Sequence, residues 1–117
     1  MIDLYTWPTP NGRKISILLE ELKVNYNVIL VNLDEGEQFS KEFTKISPNN
    51  KIPAIVDKEK NLSIFESGAI MLYLAKKYNN LIPKKYYWST MEWFFFSNFT
   101  SWSFPWTGTP VSFLQSR

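Results

Sequence analysis

The first 33 residues constrain the fold more than any other part of the chain. Ile2 to Tyr5 is a short apolar-rich strand that runs into a proline-punctuated loop, Trp7-Pro8-Thr9-Pro10-Asn11-Gly12. Apolar residues then recur at Ile15, Leu18, Leu19 and Leu22, a helical spacing that turns Glu20, Glu21 and Lys23 outward. Asn25 breaks that helix, and Tyr26 to Leu33 reads as a second strand with Val28, Leu30 and Leu33 among its apolar residues. Strand, helix and strand in this order favour a parallel pair joined by a crossover helix.

The next stretch extends the sheet. Asp34 to Gln38 is a polar loop, and Ser40 to Ile46 is at most a short helix, ended by Ser47-Pro48-Asn49-Asn50. Ile52 to Asp57 and Leu62 to Phe65 read as two further strands. The short charged turn between them makes them an antiparallel hairpin. Ser67 to Tyr78, with Ile70, Leu74 and Tyr78 beside Met71, Leu72 and Ala75, is a strongly apolar helix that should lie on the sheet. The order βαβ-α-ββα predicts an α/β domain with a mixed four-stranded sheet, complete by about residue 80. Asn79 to Lys85 is a linker, and Trp88 to Phe99 reads as the start of another helix. Beyond it the period is lost, with Trp102, Phe104, Trp106 and Phe113 scattered among Ser, Thr, Pro and Gly.

Composition removes several classes of chemistry. The chain has no cysteine and no histidine, so disulfides, a protein thiol nucleophile, a CxxC pair and imidazole catalysis are excluded, and no metal site is expected. Any redox chemistry must use a sulfur the protein does not own. A net charge of +2, from 13 basic and 11 acidic residues, is too balanced to argue for nucleic acid. The apolar stretches are too short and interrupted for a membrane span. The N-terminus reads directly into a strand, so no secretory signal is expected.

Three segments carry a resemblance to a known family. They are Pro10-Asn11-Gly12, Ser47-Pro48-Asn49-Asn50-Lys51-Ile52-Pro53-Ala54-Ile55-Val56-Asp57, and Leu62-Ser63-Ile64-Phe65-Glu66-Ser67-Gly68-Ala69-Ile70. In this order they resemble the thioredoxin-like N-terminal domain of glutathione transferases, over roughly residues 1–96. Within that superfamily they are most similar to the bacterial disulfide-bond reductase (nu-class) group and its yeast prion-like relatives.

The resemblance implies a site for glutathione as co-substrate. Ile52-Pro53 would be a cis peptide whose turn aims the Ile52 N–H and C=O outward, to pair with the cysteinyl backbone like an added strand; taken alone, Pro53 is equally an edge-strand proline. Ser67 would be the N-cap of the last helix and hold the γ-glutamyl carboxylate, while Glu66 accepts its ammonium; the bland alternative is a plain cap beside a solvated glutamate. Thr9 and Asn11 would stabilise the thiolate by hydrogen bonding at the entry of the first helix, as the catalytic pair, with Asn11 also readable as a cap. Tyr5 lies earlier, in the strand, and reads as structural. Gln38 would reach the glycyl end, or is an exposed loop glutamine.

Members of this family follow the domain with an all-helical one. Here residues 1–80 are expected to be the glutathione-binding domain, 81–96 a linker and the truncated start of the helical domain, and 97–117 an aberrant tail. Tryptophan has a single codon, TGG. Read one base onward, Trp102-Ser103 and Trp106-Thr107 each yield glycine, four positions apart, which resembles the family's G-P-x-x-G-Q at that helix end. The tail is accordingly expected to be frameshifted. The expected function is glutathione-dependent disulfide reduction or thiol transfer on a small disulfide or electrophile, in a cytoplasmic homodimer when full length. A non-catalytic glutathione-binding regulator and an inactive fragment stay open beside it.

Overall fold

The computed structural model describes the backbone of residues 1–103 and the side chains of residues 1–98. The chain divides into two compact units, Met1–Asn80 and Leu81–Arg117.

The first unit is built as β1 (Ile2–Thr6), α1 (Pro10–Glu21), β2 (Tyr26–Leu30), α2 (Lys41–Ile46), β3 (Ala54–Asp57), β4 (Leu62–Phe65) and α3 (Ser67–Lys77), with a 3₁₀ turn at Glu37–Phe39 ahead of α2. The four strands form one sheet in the order β2-β1-β3-β4. β1 and β2 are parallel, as a crossover through α1 requires, and β1–β3 and β3–β4 are antiparallel. This is the mixed, thioredoxin-like sheet the sequence predicts. The differences lie at element ends: β2 stops at Leu30 and β3 starts only at Ala54. Pro53 has no N–H to give a ladder, so regular pairing begins after it.

Alternation along the strands divides the core. Ile2, Leu4 and Ile55 meet Ile15 and Leu19 of α1 and Ile70 and Leu74 of α3 in a fully buried cluster. On the other face, Ala54, Val31 and Phe43 of α2 form a second cluster, flanked by Tyr5, Leu33, Ile46 and Ile52. Tyr5 is therefore structural, its ring centroid 6.0 Å from that of Phe43. The apolar residues the sequence places in β2 are not all covered. Val28 and Leu30 are 53% and 60% exposed, because β2 is an edge with a neighbour on one side only.

The helix ends are set locally. Thr9 caps α1, its hydroxyl accepting from Gly12 N at 3.1 Å, with Pro10 at the first helical position. Ser40 caps α2 in the same way through Phe43 N. At their far ends α1 and α3 turn out through left-handed Lys23 (φ 55°) and Asn79 (φ 47°). There Val24 N donates to Leu19 O, and Asn80 N to Ala75 O.

At the closed end of the sheet, the buried carboxylate of Asp57 is the acceptor for Tyr73 and Lys77 of α3, and Lys77 also reaches Glu59 at 3.1 Å. Burial alone would raise the Asp57 carboxyl, but the hydrogen bonds from Lys77 and Tyr73 outweigh it and hold it at about 2. The same contact, added to burial, pushes the Tyr73 hydroxyl up to about 12.

In the second unit a 3₁₀ turn, Lys84–Tyr86, leads into α4, Tyr87–Ser103. The helix continues past Phe96 into the segment expected to be aberrant. The rest of that segment, residues 104–117, lies outside the described residues, and with it Trp106 and most of the frameshift reading. Trp88, Trp93, Phe95 and Phe96 of α4 are all exposed. No described helix is long and apolar enough to cross a membrane.

Candidate functional site

The strand register brings three separated pieces of sequence to one end of the sheet. Ala54 sits opposite Tyr5 on one side and Phe65 on the other. The residues just beyond that row are Thr6 and the loop into α1, Ile52-Pro53 ahead of β3, and Glu66-Ser67 at the start of α3. Each lies at the mouth of its element, past the last row in which β1, β3 and β4 pair with one another.

The Ile52–Pro53 peptide is cis. Pro53 is buried and Ile52 half-buried against the second core cluster. Among the described residues, no hydrogen bond takes up the N–H or C=O of Ile52. A donor and an acceptor on one residue, beside an open strand end, are the groups an added strand pairs with.

The start of α3 requires a correction. Ser67 is its first helical residue, and the N-cap position belongs to Glu66, whose side chain makes no capping bond. Glu66 has φ 75° and ψ 119°, a conformation uncommon for any residue but glycine, so its C=O accepts from Ile70 N while its side chain turns away from the helix. The Ser67 hydroxyl is thus free of a capping duty, next to the unpaired N–H groups of the first turn. Such an end attracts a carboxylate.

At the start of α1 it is Thr9, not Asn11, that caps. The Thr9 oxygen accepts from Gly12 N, which leaves its own proton to donate. Asn11 lies inside the first turn, half-buried, and its amide has no hydrogen-bond partner among the described residues. Gly12 has a role the sequence did not disclose. A Cβ there would stand 2.2 Å from Thr6 Oγ1 and 2.7 Å from Trp7 O, so only glycine lets the helix approach the end of β1 this closely.

Gln38 falls in the 3₁₀ turn, and its Oε1 is buried without a partner. Its main-chain carbonyl accepts from Asn50 Nδ2 at 3.0 Å, and the same amide reaches Thr44 Oγ1 at 2.7 Å. Asn49 also escaped the sequence reading. Its Nδ2 donates to Glu66 Oε1 at 3.2 Å, while its Oδ1 lies 2.7 Å from the hydroxyl of buried Ser47. The Ser47 hydroxyl also lies 2.8 Å from Lys51 O, with one proton for the two acceptors. The Ser47–Lys51 loop therefore links Gln38 to Glu66 and leads into the cis proline. A signal was available in Ser47-Pro48-Asn49-Asn50, where polar residues that bond locally cluster ahead of a strand.

Comparison with known proteins bears on this geometry. Residues 1–76 match the family described as glutathione S-transferase, N-terminal domain. The chain is 60% identical over 82 residues to the Disulfide-bond oxidoreductase YfcG of Escherichia coli K12, an alignment that takes in 66% of this chain and 38% of that protein. A Pseudomonas fluorescens glutathione transferase family member with two glutathione bound superposes with a TM-score of 0.77 at 44% identity, over 81% of this chain and 44% of that one. Ure2p in complex with glutathione superposes with a TM-score of 0.76 at 36% identity, over 83% and 48%. The chain spans less than half the length of each of these proteins.

Proposed function

The chain belongs to the glutathione S-transferase N-terminal domain family, and from that premise we propose that it binds glutathione at the open end of its sheet and presents the thiolate for exchange with a disulfide. In this reading the Ile52 main chain pairs with the cysteinyl residue. Ser67 and the first turn of α3 take the γ-glutamyl carboxylate, and Glu66, fixed by Asn49, takes the ammonium. Gln38 meets the glycyl end. The observation that carries the proposal is the unpaired Ile52 N–H and C=O beside a helix start with unclaimed donors.

Glutathione fits a further property of the chain: with no cysteine of its own, the protein needs a sulfur from outside for any thiol chemistry. Bound there, glutathione would supply the nucleophilic thiolate. The task of Thr9 and Asn11 is to hold that charge by donating to it, assisted by the positive end of α1. Neither is a general base, so they act by lowering the thiol pKa rather than by carrying its proton away. The similarity to a disulfide-bond oxidoreductase supports a small disulfide as the substrate, with an electrophile as the other thiolate acceptor in this reading, and the whole protein would act in the cytoplasm as a homodimer.

Calorimetric titration of the chain with glutathione tests the site. Ser67→Ala should weaken binding by about 1–3 kcal/mol, because a charged carboxylate loses a donor. Since Ser67 does not cap α3, stability should change by no more than about 0.5 kcal/mol. Equal affinity in a folded Ser67→Ala protein would remove Ser67 from the site.

A further inference from the structure

Strand β2 is an edge without the usual protection. Exposed edges in folded proteins carry charge, proline or a bulge to prevent pairing with another chain. From Val24 to Leu33 this chain has none of the charged residues and no proline, and Tyr26–Leu30 pairs with β1 without a break in register. Val28 and Leu30 stand exposed on it.

The direction of its free backbone groups follows from the ladder. Val31 N donates to Thr6 O at 2.9 Å, and Thr6 lies opposite Leu30. In a parallel pair this points the N–H and C=O of Ile29 and Val31 toward β1. The same groups of Val28 and Leu30 therefore point away from the sheet. Two residues apart, they repeat as one hydrogen-bonding row at the open edge.

We propose that this edge pairs with β2 of a second copy of the chain, antiparallel about a two-fold axis at Ile29. In that register Val28 faces Leu30 of the copy and Leu30 faces Val28. Each pair exchanges both of its outward hydrogen bonds, and the exposed apolar side chains cover one another. Ile29 then meets Ile29 of the copy as the central non-hydrogen-bonded pair. On that face a groove of about 260 Å³, lined by Tyr5, Ile29, Val31 and Phe43 among others, opens beside the strand. A shift of the axis to Val28 would set Ile29 against Asn27, so the match of apolar residues favours Ile29. Five residues a side cover less than the roughly 1,200 Å² of a stable interface, so the dimer forms and dissociates with concentration. This pairing is independent of glutathione binding.

The absence of cysteine makes the test direct. Ile29→Cys would place two thiols across the axis, where Cα atoms about 4.5 Å apart suit a disulfide. Asn27→Cys would place them about 14 Å apart, four residues along the strands at 3.4 Å per residue, beyond bridging. Each single-cysteine full chain is oxidised with diamide over a concentration series, and covalent dimer is read on a non-reducing gel. The expected result is concentration-dependent dimer from Ile29→Cys, at least ten-fold more than from Asn27→Cys. Adding Leu30→Lys should abolish it while leaving the circular dichroism spectrum unchanged. Equal yields from the two cysteine variants, no dimer from Ile29→Cys at any concentration, or cross-linking that survives Leu30→Lys would each overturn the proposal.

Discussion

Lowering the pH from 5 to 2 should withdraw a defined share of this protein's stability through one side chain. Asp57 is fully buried at the end of β3, its carboxyl held at about 2 against an ordinary 3.8. The folded pKa lies below the unfolded one, so the stabilisation is complete above pH 4 and is lost as pH falls through 2. Holding a carboxyl at about 2 rather than 3.8, at 1.36 kcal/mol per pH unit, is worth about 2 kcal/mol. That is a large part of the roughly 5–15 kcal/mol of a typical domain. Asp57→Asn keeps the shape but removes the charge, leaving Lys77 with only the exposed Glu59, at a cost of about 3–5 kcal/mol at neutral pH. Urea unfolding at a series of pH values from 7 to 2, followed by far-ultraviolet circular dichroism, measures both effects. Other carboxylates contribute equally to the two proteins, so the difference between the curves isolates Asp57. The two should converge by about 2 kcal/mol between pH 5 and pH 2. Parallel curves would refute the reasoning and assign Asp57 no coupling to Lys77 and Tyr73. Asp57 lies at the opposite end of β3 from Pro53, so the folded variant should keep its glutathione affinity.

Asn11→Ala removes an amide at the mouth of the site and should raise the pKa of the bound glutathione thiol; an unmoved midpoint in the ultraviolet thiolate titration would leave Asn11 without that role. Gly12→Ala forces a Cβ against Thr6 Oγ1 and the Trp7 carbonyl, so a loss of about 1–3 kcal/mol is expected in urea unfolding, with weaker glutathione binding as α1 shifts. Glu66→Gly relieves the positive φ, offsetting the lost Asn49 contact, and should leave stability within about 1 kcal/mol while weakening glutathione binding; a large stability loss without a binding defect would reverse the account of Glu66.

Much of this protein could be read from its sequence because the informative signals are local. The spacing of Ile15, Leu18, Leu19 and Leu22 makes α1 a helix whatever surrounds it, and the short charged turn after Asp57 makes β3 and β4 a hairpin. The βαβ order selects a parallel crossover, and the absence of cysteine rules out a protein thiol. Pro10-Asn11-Gly12, Ile52-Pro53 and Glu66-Ser67 could be singled out as segments, yet not joined by local rules alone. Their meeting depends on the register that sets Ala54 between Tyr5 and Phe65, which is a matter of long-range pairing. The cap assignments went astray for a related reason. Thr9, Asn11, Glu66 and Ser67 are all able to cap, and a shift of one or two residues in where a helix begins decides which of them does. Tertiary structure alone could reveal the space denied to a Cβ at Gly12, the Asn49 amide across from Glu66, and the exposure of Val28 and Leu30. Each depends on what stands opposite in space: a side chain's period tells which face it takes, and only the assembled sheet determines whether anything covers it.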